Sequence, residues 1–354
     1  MVMNKKNFEI KDNRFSVLDA FRFFFYLFVV ITVFSFVFSV ALIVISAVTG
    51  KTTEELNSGS IVDIISVMAS PVIIIVFSIV YSKIRKVKLS STFNDGQKIS
   101  LLPISVSIVL AIIAIFLFTP FMELVEYGFM QFGYNPDSTI PLQDKMTTSP
   151  GFFFLGVFLY AVLPAVAEEI VFRGVIQTSL QSRFKGYVAI LVTAVLFTLM
   201  HGSLQQTVYQ MVMGIMLGYV ACVGGSILYS IILHFLNNLF VLLFGCFDIV
   251  SYLSEDAIYY NIYSMIFPIC LFLLGVGLVG ILFWVLKYLR TKNFFRYEGN
   301  KKKKPPKSQE PENKIGLREM WKNLDNKERI FMLSGLVLVG VLWIIATIDG
   351  FVIK

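Results

Sequence analysis

The feature that most limits what this chain can fold into is a run of 26 residues, Phe23–Val48, without one charged side chain. Hydrocarbon offers the backbone no hydrogen bonds, so such a run crosses a bilayer as a helix that satisfies them internally, and about 20 mostly apolar residues suffice. Eight further runs follow: Ile61–Tyr81, Leu101–Phe121, Phe152–Ala167, Tyr187–Met200, Thr207–Val223, Ile227–Phe247, Ile262–Tyr288 and Ile330–Ile348. The fourth, fifth and sixth are short or carry polar groups, so eight or nine spans are expected. Composition agrees. The chain is 56% hydrophobic and 15% charged, with 35 Phe, whereas soluble domains are about 25% charged. A soluble fold of 354 residues could not hide that much apolar surface. The first run is too long for a removable signal peptide and no small-residue cleavage pattern follows it, so it reads as a permanent span. The expected fold class is an all-α polytopic membrane protein.

Charge placement orients the spans, because Lys and Arg favour cytoplasmic loops. Lys5, Lys6, Lys11 and Arg14 precede the first span. Lys83, Arg85, Lys86, Lys88 and Lys98 follow the second, Arg173, Arg183 and Lys185 the fourth, and Lys287, Arg290 and Lys301–Lys304 the eighth. The alternate loops are acidic: Glu54 and Glu55; Glu123, Glu126, Asp137 and Asp144; Asp248, Glu255 and Asp256. This alternation predicts a multi-pass protein of the cell membrane, N-terminus cytoplasmic and C-terminus extracytoplasmic. The net charge of +7 is then topology, not nucleic-acid binding.

Three regions emerge: residues 1–150 with three spans, a core at 151–250, and C-terminal spans at 251–354 with a basic cytoplasmic linker at 291–329. Within that linker Leu317, Met320, Trp321 and Leu324 share one helical face, which predicts a short helix on the inner membrane surface. Gly214 and Gly218, four apart, allow a close helix approach. Pro71, Pro103, Pro164 and Pro268 interrupt spans and are expected to kink them. Cys222, Cys246 and Cys270 fall in spans without CxxC spacing. They read as packing residues, with no disulfide framework and no structural zinc site.

Ionisable groups inside a span cost about 2.5–3.5 kcal/mol each on insertion scales and point to function by default. One cluster stands out. The fourth run leads into Ala167-Glu168-Glu169-Ile170-Val171-Phe172-Arg173-Gly174, after which apolar residues resume. A continuous helix from about Phe152 to Leu180 puts Glu169 and Arg173 on one face, four apart, where they can pair. Glu168 points about 100° away. The two histidines, His201 and His234, both fall in or at the end of apolar helices, and Asn238 shares a face with His234. Buried polar groups need partners, so the three helices are expected to meet in one polar cavity. Depth raises a tension: counted from Tyr187, His201 lies about 20 Å into the membrane, while Glu168 sits nearer the inner end of its apolar run. The two meet only if the fourth helix is longer than that run or the fifth begins outside the hydrocarbon.

A carboxylate and an imidazole can orient and deprotonate a water. A second imidazole and an amide can donate to an oxyanion. That is equipment for hydrolysing an amide. Two His and one Glu also match a catalytic zinc ligand set, and both readings stay open on these residues.

Glu168-Glu169-x-x-x-Arg173, Phe197-x-x-x-His201 and His234-x-x-x-Asn238 resemble, in order and spacing, the three motifs of the CAAX-protease and bacteriocin-processing family, also called ABI, with its lysostaphin-resistance-protein-like bacterial members. The resemblance covers about Phe152–Phe247. It implies an intramembrane endopeptidase with a polar cavity among four core helices. It makes Glu168 the base that activates water and His201 a group that holds that water. His234 and Asn238 would stabilise the oxyanion, with Glu169 and Arg173 in support. The substrate would be a membrane-associated peptide or protein. The family is often described as metal-dependent; zinc would take Glu168, His201 and His234 as ligands, but Asn238 beside His234 favours a metal-free site. The competing reading is a non-enzymatic membrane scaffold for bacteriocin immunity or for regulating an envelope protein.

Overall fold

The computed structural model describes residues 15–52, 60–94, 99–134, 140–247, 262–291 and 314–352. Among them eight helices are long and apolar enough to cross a bilayer. These are α1 (Val17–Thr49), α2 (Ser60–Arg85), α3 (Leu101–Gln131), α5 (Pro150–Gln181), α7 (Thr207–Gly224), α8 (Ile227–Phe247), α9 (Ile262–Thr291) and α11 (Asn326–Val352). Three shorter α-helices, α4 (Gln143–Thr148), α6 (Gly186–Met200) and α10 (Leu317–Asn323), and a 3-10 turn at Leu89–Thr92 complete the described residues. The protein is all-α; the described residues hold no strand beyond two isolated bridges. Large apolar side chains such as Phe36, Val37, Ile43, Leu273 and Trp284 point outward on the long helices. In water this would be a liability; in lipid it is the solvated face.

Helices α5–α8 pack together at the centre, and the other spans surround them. α1 and α2 lie against α5, α3 against α8, and α9 against α3 and α7. α11 packs on α1 and α6, and on α1 its Phe331 meets Phe25 and Tyr26 and lies beneath the Arg22 guanidinium. Ser16 and Asp19 form a reciprocal cap at the start of α1, which satisfies two otherwise unpaired N–H groups. Asp19 then receives Arg85 at 2.6 Å and the Tyr81 hydroxyl at 3.1 Å, tying α1 to α2.

Several expectations change. The third span continues to Gln131, so Glu123 and Glu126 belong to helix and not to loop. The fifth run forms only the 15-residue α6, about 22 Å long and shorter than the roughly 30 Å hydrocarbon core. α10 does not lie flat on lipid with its whole apolar face. Met320 packs on the core and Leu324 is buried, while Leu317 and Trp321 stay exposed. The reason is a dock onto the α5–α6 turn. The Lys185 N–H donates to the Ile315 carbonyl, the Ile315 N–H to the Arg183 carbonyl, and Arg183 pairs with Glu328. Cys246 is buried and Cys222 half-buried, but Cys270 faces outward. Pro103 sits in the first turn of α3, where a missing N–H costs nothing. The basic arm Lys5–Arg14, the run Lys301–Lys304 and the acidic residues Glu54, Glu55, Asp137, Asp248, Glu255 and Asp256 lie outside the described residues.

Candidate active site

Helix α5 carries the acidic motif, and its shape removes the depth tension. It runs unbroken through Glu168 and Arg173 to Gln181. Glu168 therefore lies 13 residues, about 20 Å, from the C-terminal end of α5. His201 caps the C-terminus of α6, 15 residues or about 22 Å above Gly186. A turn of four residues, 182–185, joins the C-terminal end of α5 to the N-terminal end of α6. Two equal climbs from one turn bring Glu168 and His201 to the same level.

Proline sets the local winding. Pro164 has no N–H and its ring would strike the Tyr160 carbonyl in a regular α-turn. The chain widens instead into a π-turn over Val157–Val162, where the Leu163 N–H reaches the Phe158 carbonyl. A second π-segment spans Ile170–Gln177. In an α-helix, residues four apart are offset by about 40°. The wider i→i+5 turn brings them closer to one line. Glu169, Arg173 and Gln177 follow each other along such a line, and all three are buried.

Arg173 donates to Glu169 at 2.6 Å with both side chains fully buried. Its second terminal nitrogen donates to the Gly214 carbonyl at 3.2 Å, and the Gln177 amide donates to the Gly218 carbonyl at 2.9 Å. The Gly214/Gly218 pair thus does more than allow packing. A Cβ at Gly214 would lie 3.0 Å from Ala194, and one at Gly218 would lie 2.8 Å from the Gln177 carbonyl oxygen. Without side chains, α7 presents two backbone carbonyls to α5.

Glu169 also meets the Nδ1 atom of His234 at 2.9 Å. On the other side, Nδ1 of His201 lies 2.8 Å from the Phe197 carbonyl oxygen. A carbonyl can only accept, and a carboxylate held by Arg173 also accepts, so both histidines carry their proton on Nδ1. Both Nε2 atoms are left facing the site. They converge on one oxygen: Glu168 Oε2 lies 3.9 Å from His201 Nε2 and 3.9 Å from His234 Nε2. The Phe197 ring sits among these groups, 4.7 Å from the His201 ring, 5.8 Å from the His234 ring and 4.7 Å from the Arg173 guanidinium carbon. It is fully buried.

With both imidazoles neutral, three acceptors face each other with no donor among them. That arrangement calls for a water or a cation. A water oxygen about 2.8 Å from two atoms 3.9 Å apart subtends roughly 90°, an acceptable angle. Two donors on a tetrahedral zinc with bonds near 2.0–2.1 Å stand about 3.3 Å apart. The donor types fit zinc, and the outward bonds of both Nδ1 atoms are those of metal-binding histidines. The spacing is about half an ångström wider than zinc requires and matches a bridging water without adjustment.

The structure brings Glu168, Glu169, Arg173, His201 and His234 into one contact network. Asn238 is half-buried one turn beyond His234, and its side-chain oxygen accepts from Asn237 at 3.4 Å. Sequence reasoning missed Asn237 and Tyr209, whose hydroxyl bonds the Asn237 side-chain oxygen. A polar Tyr at the start of an apolar helix and a doubled Asn were the available signals.

Residues 150–240 match the family described as Type II CAAX prenyl endopeptidase Rce1-like. A Bacillus subtilis (strain 168) protein, "Putative membrane peptidase YdiL", is 25% identical over 213 residues, covering 59% of this chain and 82% of that protein. No solved structure matches the chain significantly. The order and spacing of the motifs and both matches agree: residues 150–240 of the chain are similar to the CAAX prenyl endopeptidase family.

Proposed function

We propose that this protein is an intramembrane endopeptidase that hydrolyses peptide bonds of membrane-associated peptides or proteins with a water activated by Glu168 and His201. The observation that carries the reading is the convergence of Glu168 Oε2 and the two histidine Nε2 atoms, each 3.9 Å from that oxygen. A water between Glu168 and His201 gives one proton to each acceptor in hydrogen bonds, which turns its own lone pair towards a substrate carbonyl. Glu168 takes the proton as the oxygen attacks and returns it to the leaving amine. His234 faces the developing oxyanion from the other side. When its Nε2 carries a proton, the Glu169 carboxylate 2.9 Å from Nδ1 balances the imidazolium charge, as the buried carboxylate does in a Ser-His-Asp triad. Asn238 supplies a neutral donor. Arg173 holds Glu169 ionised and in place. Zinc, if the chain binds it, would be held by Glu168, His201 and His234 and would polarise the water. The N-terminus would be cytoplasmic, which places the α5–α6 turn with Arg183 and Lys185 at the inner face.

The test is a quantitative comparison of membrane-protein N-termini in cells carrying wild type, Glu168→Ala, His201→Ala or His234→Ala at matched abundance. A shared set of N-termini lost from all three variants is expected. Full function of all three variants, with loss on disrupting α1 or the α10 dock instead, would favour a scaffold.

A further inference from the structure

Asn238 has no fixed orientation of its own. A primary amide can turn over, exchanging its oxygen for its NH2, and at an oxyanion the two ends have opposite effects: the NH2 stabilises negative charge and the oxygen repels it. Something must hold the correct end forward, and the chain carries a hydrogen-bond relay placed to do so.

The relay begins at Tyr209, in the first turn of α7 just beyond the loop that follows His201, with its ring packed on the main core. Its hydroxyl donates to the side-chain oxygen of Asn237 on α8, a residue only 5% exposed. An amide has one acceptor end and one donor end. With the Asn237 oxygen occupied by Tyr209, its Nδ2 is directed to Asn238, where it lies 3.4 Å from Oδ1. The Asn238 oxygen is therefore the end held back, and its Nδ2 is the end presented. Asn238 lies one turn from His234 on the same face of α8, so the presented donor joins the histidine that faces Glu168.

We infer that Tyr209 and Asn237 are positioning residues, not mere ties between α7 and α8: the proton donated by Tyr209 sets the Asn237 amide, which in turn sets Asn238 with its N–H towards the oxyanion. The inference rests on the hydrolytic reading of the site, in which Asn238 is the neutral oxyanion donor.

A relay and a simple tie differ in one measurable respect. A relay acts only through Asn238, so its loss is silent once Asn238 is gone. The experiment measures the rate at which Glu168-dependent fragments accumulate after induction, in wild type, Tyr209→Phe, Asn238→Ala and the double variant at matched membrane abundance. Tyr209→Phe removes one hydroxyl and one hydrogen bond. It is expected to slow accumulation about tenfold in the wild-type background and less than about twofold in the Asn238→Ala background. Equal slowing in both backgrounds would overturn the relay. If Glu168→Ala leaves every fragment unchanged, the hydrolytic reading fails and a second measurement still decides the relay. In protein labelled with 15N-Asn and held in detergent micelles, the side-chain amide signals of Asn238 are identified by their absence in Asn238→Ala. The relay predicts that Tyr209→Phe shifts them; unshifted signals would overturn it.

Discussion

Replacing Arg173 with alanine tests how the polar core is held together. Arg173 is 1% exposed and its guanidinium makes four contacts: Glu169 at 2.6 Å, the Gly214 carbonyl at 3.2 Å, and the Phe197 and Phe172 rings at 4.7 and 5.9 Å. Removing one partner of a buried ion pair costs about 3–5 kcal/mol, because the other charge is left uncompensated. Glu169 keeps His234 at 2.9 Å, and an imidazolium there can balance it, so the low end, about 3 kcal/mol, is expected for Arg173→Ala. The double variant Glu169→Leu/Arg173→Leu removes both charges from a fully buried site already faced by the Phe172 and Phe197 rings. It should stand within about 1 kcal/mol of wild type while losing all processing. The assay is reversible unfolding in detergent micelles by steric trapping. A loss below about 1 kcal/mol for Arg173→Ala, the size of an exposed pair, would refute the argument. So would a double variant less stable than Arg173→Ala.

Three further outcomes follow from the geometry. Gly214→Ala should cost about 1–3 kcal/mol, because its Cβ would lie 3.0 Å from the Ala194 Cα and Cβ; Ala194→Gly in the same chain should recover part of that loss in the unfolding assay. Glu168→Gln should abolish processing yet unfold at wild-type stability or up to about 1 kcal/mol above it, since Glu168 Oε2 is buried without a hydrogen-bond partner among the described residues. Chelation should leave processing by purified protein intact, and elemental analysis should find less than one zinc per chain; a loss reversed by added zinc would reassign Glu168, His201 and His234 as ligands.

The spans were legible because a bilayer imposes a length and a composition on any helix that crosses it, and most of the runs from Phe23 to Ile348 obey both; the fifth, which forms only the 15-residue α6, does not. The site was legible for the converse reason: Glu168, Glu169, Arg173, His201 and His234 are the groups that the same rule rejects. What local pattern could not show was how the chain reconciles their depths. Periodicity has no sign for a π-turn, so the widening before Pro164 and the second one through Arg173 were invisible, as was the alignment they give Glu169, Arg173 and Gln177. Nor does it show partners supplied by backbone. Gly214 and Gly218 read as small residues, and only the packed structure shows their carbonyls receiving Arg173 and Gln177. The same limit hid the dock of Ile315, Leu324 and Glu328 on the α5–α6 turn. The helical face of Leu317, Met320, Trp321 and Leu324 was visible, but whether protein or lipid would cover it depends on residues more than a hundred positions away. Glu123 and Glu126 were misplaced in a loop because acidic side chains ended the apolar run before the helix itself ended.

The central claim is that Glu168 activates a water for peptide-bond hydrolysis inside the membrane, and isotope incorporation tests it most directly. Membrane vesicles bearing wild type or Glu168→Gln are incubated in H2(18)O, and the new C-termini of fragments are read by mass spectrometry. The account predicts a set of fragments with one 18O in the new carboxyl group in wild type and none of that set with Glu168→Gln. Identical labelled fragments in both samples would contradict it.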